Sequence, residues 1–367
     1  MKSATILRRV ATATCVFALA LTATNVQASA LTPGDLLIYR VGTGSGALGS
    51  LATAVFLDEY TPVGTLVQSI ALPTTGSAAL TAVGNDATEG IMSAAQSSSV
   101  LVFTGYRADA GTPNPSSSTP DVVNRVVGTI GLAGLANTSV ALTDASGTIR
   151  SATSRDGSSL FYIGTSAGLR YVGSPSGAAT STQIDSRNTR QALLNGNTLF
   201  ASGTLAGSAD KVQTYGTLPT GPTTGTPIVT TTVTDTMNGY ALFDLSSSVA
   251  GADTLYVLST SQNRVLKYTF NGTSWTASGS ISANGAVNLA GVAIGSTVDL
   301  FLTSGSTLYS EIDSSGYNAN ITGSLSSLAT VGANEAFRGV AVVPEPSTFS
   351  LGLVAAATLL ALRRRRF

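Results

Sequence analysis

One short motif, a run of small and apolar residues, recurs along this chain, and its spacing restricts the folds open to it. It reads Glu89-Gly90-Ile91-Met92, Ile149-Arg150-Ser151-Ala152, Arg190-Gln191-Ala192-Leu193, Gly239-Tyr240-Ala241-Leu242, Ala290-Gly291-Val292-Ala293 and Arg338-Gly339-Val340-Ala341. Counted from Glu89, Arg150, Arg190, Gly239, Ala290 and Arg338, successive copies lie 61, 40, 49, 51 and 48 residues apart. Between copies come further short runs of Val, Ile, Leu, Phe, Tyr and Thr, such as Leu160-Phe161-Tyr162-Ile163 and Arg264-Val265-Leu266-Lys267-Tyr268. Gly, Ser, Asn and Asp separate them. These are strand and turn signals, and no long amphipathic helix interrupts them. A period near 50 residues with about four strands per unit predicts the blades of a β-propeller.

The ends of the repeat complete one another. The sixth copy, Phe337 to Val343, has no strands after it. Before the first copy, the segments Asp35 to Val41, Ala54 to Tyr60 and Thr65 to Leu72 read as three strands with no leader of their own. Pairing the three with the one closes a ring and removes exposed sheet edges. The expectation is an all-β, six-bladed β-propeller over residues 31–343, closed by N-terminal strands; seven blades is the alternative. The 61-residue spacing carries Pro113, Pro115 and Pro120 and reads as an inserted, dispensable loop.

Composition narrows the chemistry. Charged residues are only 10% of the chain, too few for a coiled coil or a basic nucleic-acid binder. The chain has no His, and Cys15 is its one Cys. Catalysis by Ser-His-Asp or Cys-His groups of this chain is excluded, as are zinc sites built on His or Cys. No calcium loop or phosphate-binding glycine loop is present, so no metal, cofactor or catalytic residue is assigned. Asp58-Glu59 would point to opposite faces of a strand, which is poor geometry for paired-carboxylate catalysis and suits surface or blade-edge charges. Trp275 suits packing between blades better than sugar stacking.

The two ends carry export signals. Lys2, Arg8 and Arg9 precede the apolar run Val10 to Leu21, and Ala28-Ser29-Ala30 supplies small residues for signal peptidase. Residues 1–30 therefore read as a signal peptide cleaved after Ala30. At the other end, Val343-Pro344-Glu345-Pro346-Ser347 is followed by the apolar run Phe349 to Leu362 and by Arg363, Arg364, Arg365 and Arg366. The arginines would hold that end on the cytoplasmic side and leave the main domain across the membrane. This ordered combination resembles the PEP-CTERM sorting signal over residues 344–367. The resemblance implies a Gram-negative, exopolysaccharide-producing source and recognition and processing at the motif by the membrane enzyme exosortase. It also implies transient anchoring in the cytoplasmic membrane by the C-terminal transmembrane helix, then release to the cell surface or extracellular matrix.

Without the signal peptide and the Arg cluster, 12 cations remain against 19 acids, so the exported part is mildly acidic and unsuited to nucleic acid. In a propeller, the aligned leaders line the central channel. Glu89, Arg150, Arg190 and Arg338 would gather near one mouth of it as candidate ligand-binding residues, with arginine suited to carboxylate or sulfate groups of an exopolysaccharide. The alternative is that Glu89 pairs with one arginine while the others face solvent or cap blade ends. Two functions compete. One is a non-enzymatic matrix scaffold or polysaccharide-binding propeller. The other is a polysaccharide lyase or glycosidase acting at the channel mouth with Arg, Tyr and carboxylates.

Overall fold

The computed structural model describes residues 29–204 and 207–345. Ala28, Pro346, Ser347 and Arg363 to Arg366 lie outside the described residues, as does the expected membrane helix. The described chain is all-β, with two single 3₁₀ turns, in a β-propeller-like arrangement.

Four sheets have four strands each, in chain order. They run from Ile149–Thr153 to Thr182–Asp185, from Asn188–Asn195 to Thr226–Thr230, from Met237–Phe243 to Trp275–Ser282, and from Ala286–Ile294 to Ser326–Thr330. The remaining strands form one ten-stranded sheet. Its continuity comes from the long strand Ala52–Tyr60. Residues Ala52 to Ala54 pair with Thr81–Val83, while Phe56 to Tyr60 pair with Leu66–Ala71.

The chain ends meet as the repeat predicts. Leu36–Val41 pairs antiparallel with Ala52–Tyr60 on one side and with Ala336–Val342 on the other. The first strands of the sheets also touch in succession: Ser93–Ala94, Ile149–Thr153, Asn188–Asn195, Met237–Phe243, Ala286–Ile294, Ala336–Val342, and back to Ser93–Ala94. The strand Leu36–Val41 is wholly buried because both of its faces are covered. Leu37, Tyr39 and Val41 enter one core cluster with Leu57, Leu101 and Phe103; Leu36 and Ile38 enter another with Phe301 and Phe337. That is the period-two alternation of a strand between two packed sheets. The outermost strands instead show Ser, Thr and Ala to solvent, as in Ser326–Thr330.

Close approach explains the glycines that accompany the leaders. A Cβ on Gly339 would lie 1.9 Å from the Gly90 carbonyl oxygen. Gly90 itself has φ +80° and would press a Cβ against the Tyr39 ring at 2.7 Å. Neither position tolerates another residue without backbone movement.

Two expectations need correction. Asp58 and Glu59 do face opposite ways, but neither is a surface charge: they are 2% and 0% exposed. Asp58 pairs with Arg40 and accepts from Ser69, whereas Glu59 accepts from Thr32 N–H and from Gln68 Nε2, each at 2.6 Å. A buried carboxylate persists where such donors replace water. The stretch around Pro115 is not a free loop either. Pro115 is buried, Pro113 bridges to Leu51, and the carbonyls of Ser116 and Ser118 accept from the guanidinium of Arg125, itself 0% exposed. The segment is a lid that satisfies a buried cation.

Candidate functional site

The ring of first strands has two unlike ends. At one end the first strands begin, and there the structure brings the predicted arginines together around the turn Gly84 to Thr88. Asp86 Oδ1 shapes this turn by accepting from Thr88 N–H at 2.8 Å and from its hydroxyl at 2.7 Å. Arg150 donates from Nε to Thr88 Oγ1 at 3.2 Å, and from Nη1 to Thr189 O at 3.2 Å and to Asn188 Oδ1. It thus spans two neighbouring first strands. Arg338 donates from Nη2 to Gly84 O at 2.8 Å. The electrostatics record the same convergence. Burial pulls Arg150 down to about 10, with Arg190 adding to the effect, and Asp86 opposes it. Burial also lowers Arg190 and Arg338, and Asp86 opposes it at both.

Glu89 stands in the wall beside them, 3% exposed. Oε2 accepts from Val83 N–H at 2.8 Å and Oε1 from the Tyr106 hydroxyl at 2.7 Å. Burial pushes its carboxyl up to about 8, and Asp86 adds to this; the two donors and Arg338 oppose it. Among the described residues no ion pair joins Glu89 to an arginine. The pairing alternative for Glu89 therefore gives way to a hydrogen bond with Tyr106, which also accepts from Ile149 N–H at 3.2 Å and so ties two sheets together.

Sequence alignment missed further polar residues at this end. Beside Gly239 the ring presents Asn288, not Ala290: a Cβ at Gly239 would lie 3.0 Å from Asn288 Oδ1. The cause is a register shift between Ala286 and Asn288; similar shifts occur at Thr189/Ala192 and Met237/Tyr240. Such bulges re-aim side chains at strand starts and leave no clear mark in sequence. Several of these side chains keep polar atoms buried without partners: Arg190 Nη1, Arg338 Nε, Asn238 Oδ1, and both Oδ1 and Nδ2 of Asn288. Buried polar groups are ordinarily satisfied, so this clustering calls for an explanation.

The other end, where the first strands finish, is apolar. A cavity of about 570 Å³ is lined by Met92, Leu193, Leu242, Phe243 and Val292, among others. The expected sorting motif begins at its rim. Val343 is buried and tied to Asp35 O and Gly34 N–H, and Ser99 Oγ donates to Glu345 O at 3.1 Å. Val343, Pro344 and Glu345 all line the cavity. Trp275 packs against Phe270, ring centroids 5.4 Å apart. Among the described residues no group of three or more His, Cys, Asp or Glu could hold a metal ion.

No family model and no curated protein matches the sequence. Solved structures align with the chain at low identity. The periplasmic gluconolactonase PpgL of Pseudomonas aeruginosa aligns with a TM-score of 0.48 at 13% identity, over 81% of this chain and 83% of that one. A chain of a nidogen/laminin complex aligns with a TM-score of 0.48 at 12% identity, over 84% of this chain and 98% of that one.

Proposed function

We propose that this protein is an exported, non-enzymatic binding propeller of six blades, whose axial channel takes an acidic ligand at its arginine-lined end. The observation that carries the reading is that Arg150 and Arg338 both donate to the turn Gly84 to Thr88, with Arg190 close enough to Arg150 for the two charges to oppose one another and with guanidinium N–H groups left over. The succession of first strands, with Ala336–Val342 shared between the chain ends, supports the count of six. In this reading signal peptidase removes residues 1–30. The C-terminal helix then anchors the chain in the cytoplasmic membrane, exosortase processes it at Pro344-Glu345-Pro346, and the propeller joins the cell surface or matrix, where exopolysaccharide is its partner.

The enzymatic alternative has one observation in its favour: Tyr106 lies beside the arginine cluster, bonded to Glu89. Yet the Tyr106 hydroxyl is committed to both Glu89 and Ile149 N–H, and residue 106 is 0% exposed. A general base must reach a proton on its substrate, which this pair does not. Binding is therefore preferred. The test is to incubate the secreted protein with acidic and neutral exopolysaccharides and score both retention and product release. Retention of acidic polymers without release is the expected outcome; release of oligosaccharides would favour the enzyme.

A further inference from the structure

We propose that the cavity at the end where the first strands finish holds one acyl chain of a bilayer lipid, and that this end of the ring rests on the membrane surface. Contact with the membrane rests on the anchoring step of the reading above; occupancy of the cavity does not. Four observations lead to it.

The first is access. The cavity, of about 570 Å³, falls within the roughly 300–1,000 Å³ of small-molecule sites. Its lining runs from the core to the exterior. Met92, Leu194 and Leu289 are 3%, 0% and 1% exposed, whereas Ala293, Ile294 and Glu345 stand open to solvent. An occupant can enter from outside without displacing a strand.

The second is the chemistry of the lining. Among the described residues it includes two acids, Asp299 and Glu345, and no Lys or Arg. Burial holds the Asp299 carboxyl above its ordinary range, so further negative charge is unwelcome. Polar side chains of the lining are already engaged. Gln191 Oε1 accepts from Tyr240 N–H at 2.7 Å, Ser93 Oγ donates to Ala152 O at 2.7 Å, and Gln96 Oε1 accepts from Gly196 N–H at 2.8 Å. An anion finds no cation there, while methylenes would take the place of water against Leu193, Leu242 and Val292. The occupant that fits is an uncharged, apolar chain.

The third is the rim. Val63, Ile294 and Ile312 are 79%, 63% and 61% exposed. Ile294 lines the cavity itself, Val63 follows the lining residue Pro62, and Ile312 pairs with the lining residue Asp299. Exposed apolar side chains round an apolar opening mark an interaction face.

The fourth is where the chain leaves. Pro344 and Glu345 line the cavity, and the apolar run starts at Phe349, four residues on. Four extended residues span at most about 14 Å. A headgroup layer is about 5–8 Å thick. With Phe349 to Leu362 in the bilayer, the mouth of the cavity is held at the bilayer surface, and lipid acyl chains are the nearest apolar groups outside the protein.

The test uses two probes on the secreted protein: a series of 1-alkanols from hexanol to dodecanol, followed by calorimetry, and flotation with vesicles of neutral phosphatidylcholine. Each added methylene should tighten alkanol binding about fourfold until the cavity is full. The series needs no variant, so it reads the cavity even if a substitution in the lining fails to fold. Val292→Asp should weaken dodecanol binding at least about tenfold. Val63→Asp combined with Ile312→Asp, both at exposed positions, should cut flotation at least about threefold without loss of melting temperature. Val122→Asp, in the segment that covers Arg125, should change neither readout. Affinity that does not rise with chain length, or no alkanol binding at all, overturns the assignment of the cavity. Dodecanol binding without flotation overturns the bilayer as its source. Intact mass of the same sample separates these failures from that of the anchoring step. If alkanols do not bind and residues 349–362 are still attached, the chain's own apolar run takes the place of the lipid and the processing reading falls as well. If alkanols do not bind and the run has been removed, the cavity assignment falls alone.

Discussion

Arg40 and Glu335 meet with Nη1 2.7 Å from Oε1, across 295 residues of sequence. The contact sits on the seam where the N-terminal strand pairs with the last one. The same guanidinium pairs with Asp58, donates to Gly42 O at 2.9 Å and to Ser69 Oγ at 3.1 Å, and lies 4.2 Å over the Phe56 ring. One cation thus joins three strands of the closing sheet to the segment that precedes Ala336–Val342.

Removing that cation leaves Asp58, 2% exposed, without its partner. Breaking a buried pair from one side costs about 3–5 kcal/mol. Arg40→Met should lower stability by that order in urea unfolding, and Glu335→Gln by much less, since the Glu335 side chain is 20% exposed. Equal effects would mean that the seam does not depend on Arg40.

Deleting residues 31–72 removes three strands and leaves Ala336–Val342 unpaired on one side. The loss exceeds the few kcal/mol by which a domain is stable, so aggregation or protease sensitivity is expected. Deletion of residues 111–119, harmless for a free loop, is expected to destabilise as well. It takes away the carbonyls of Ser116 and Ser118 from the buried Arg125 guanidinium. Combining that deletion with Arg125→Met should restore part of the loss, because the unsatisfied cation goes too. Limited proteolysis of the three variants checks the order; full tolerance of the loop deletion alone would contradict the role given to Arg125.

Why the ring was legible in the sequence and its inner lining only partly so follows from which features have a period. Strand period and turn residues repeat, so Leu36–Val41 and its partners could be placed within a residue or two, and the arginines of three leaders fell at one channel end. Bulges do not repeat. The shift before Asn288 moved a two-amide pair into the site that the alignment had filled with Gly239 and Ala290. Long-range partners have no local mark at all. Nothing near Arg125 announces that Ser116 and Ser118 serve it, and nothing near Asp58 announces Arg40.

Stability should depend on pH through Glu89. Its carboxyl, raised to about 8 in the folded chain by burial, returns to the ordinary 4.5 on unfolding. Between those values the folded state holds a proton that the unfolded state releases, so stability falls as pH rises through the window and levels off above it. One such proton gives at most about 1.4 kcal/mol per pH unit. The groups facing Glu89 are Asp86 on its own turn, Tyr106, Tyr39, Arg125, Arg150 and Arg338. Burial raises Asp313, but its hydrogen bonds from Ser315, Tyr256 and Lys267 win and leave it lowered, so its contribution is lost only in acid below the window. Urea unfolding from about pH 5 to about pH 9 should show the decline in the parent and a flatter profile in Glu89→Gln. Parallel profiles would remove Glu89 as the cause.

Processing is the most direct test of the export reading. The packed fold starts one residue after the expected signal-peptide cut: Ala30 is exposed, whereas Leu31 is 4% exposed and donates from N–H to Leu132 O at 2.8 Å. It ends one residue before the sorting motif's first proline, with Val343 1% exposed and Glu345 exposed. A protease could therefore cut after Ala30 and near Pro344-Glu345-Pro346 without opening the ring. Intact-mass measurement of the secreted form should give a chain that begins at Leu31 and lacks Arg363 to Arg366. Replacing those four arginines with serine should remove the cytoplasmic stop and lower the yield of the processed form. A secreted product that still carries Arg363 to Arg366 would sink the assignment of residues 344–367 as a cleaved sorting signal, while leaving the propeller and its channel untouched.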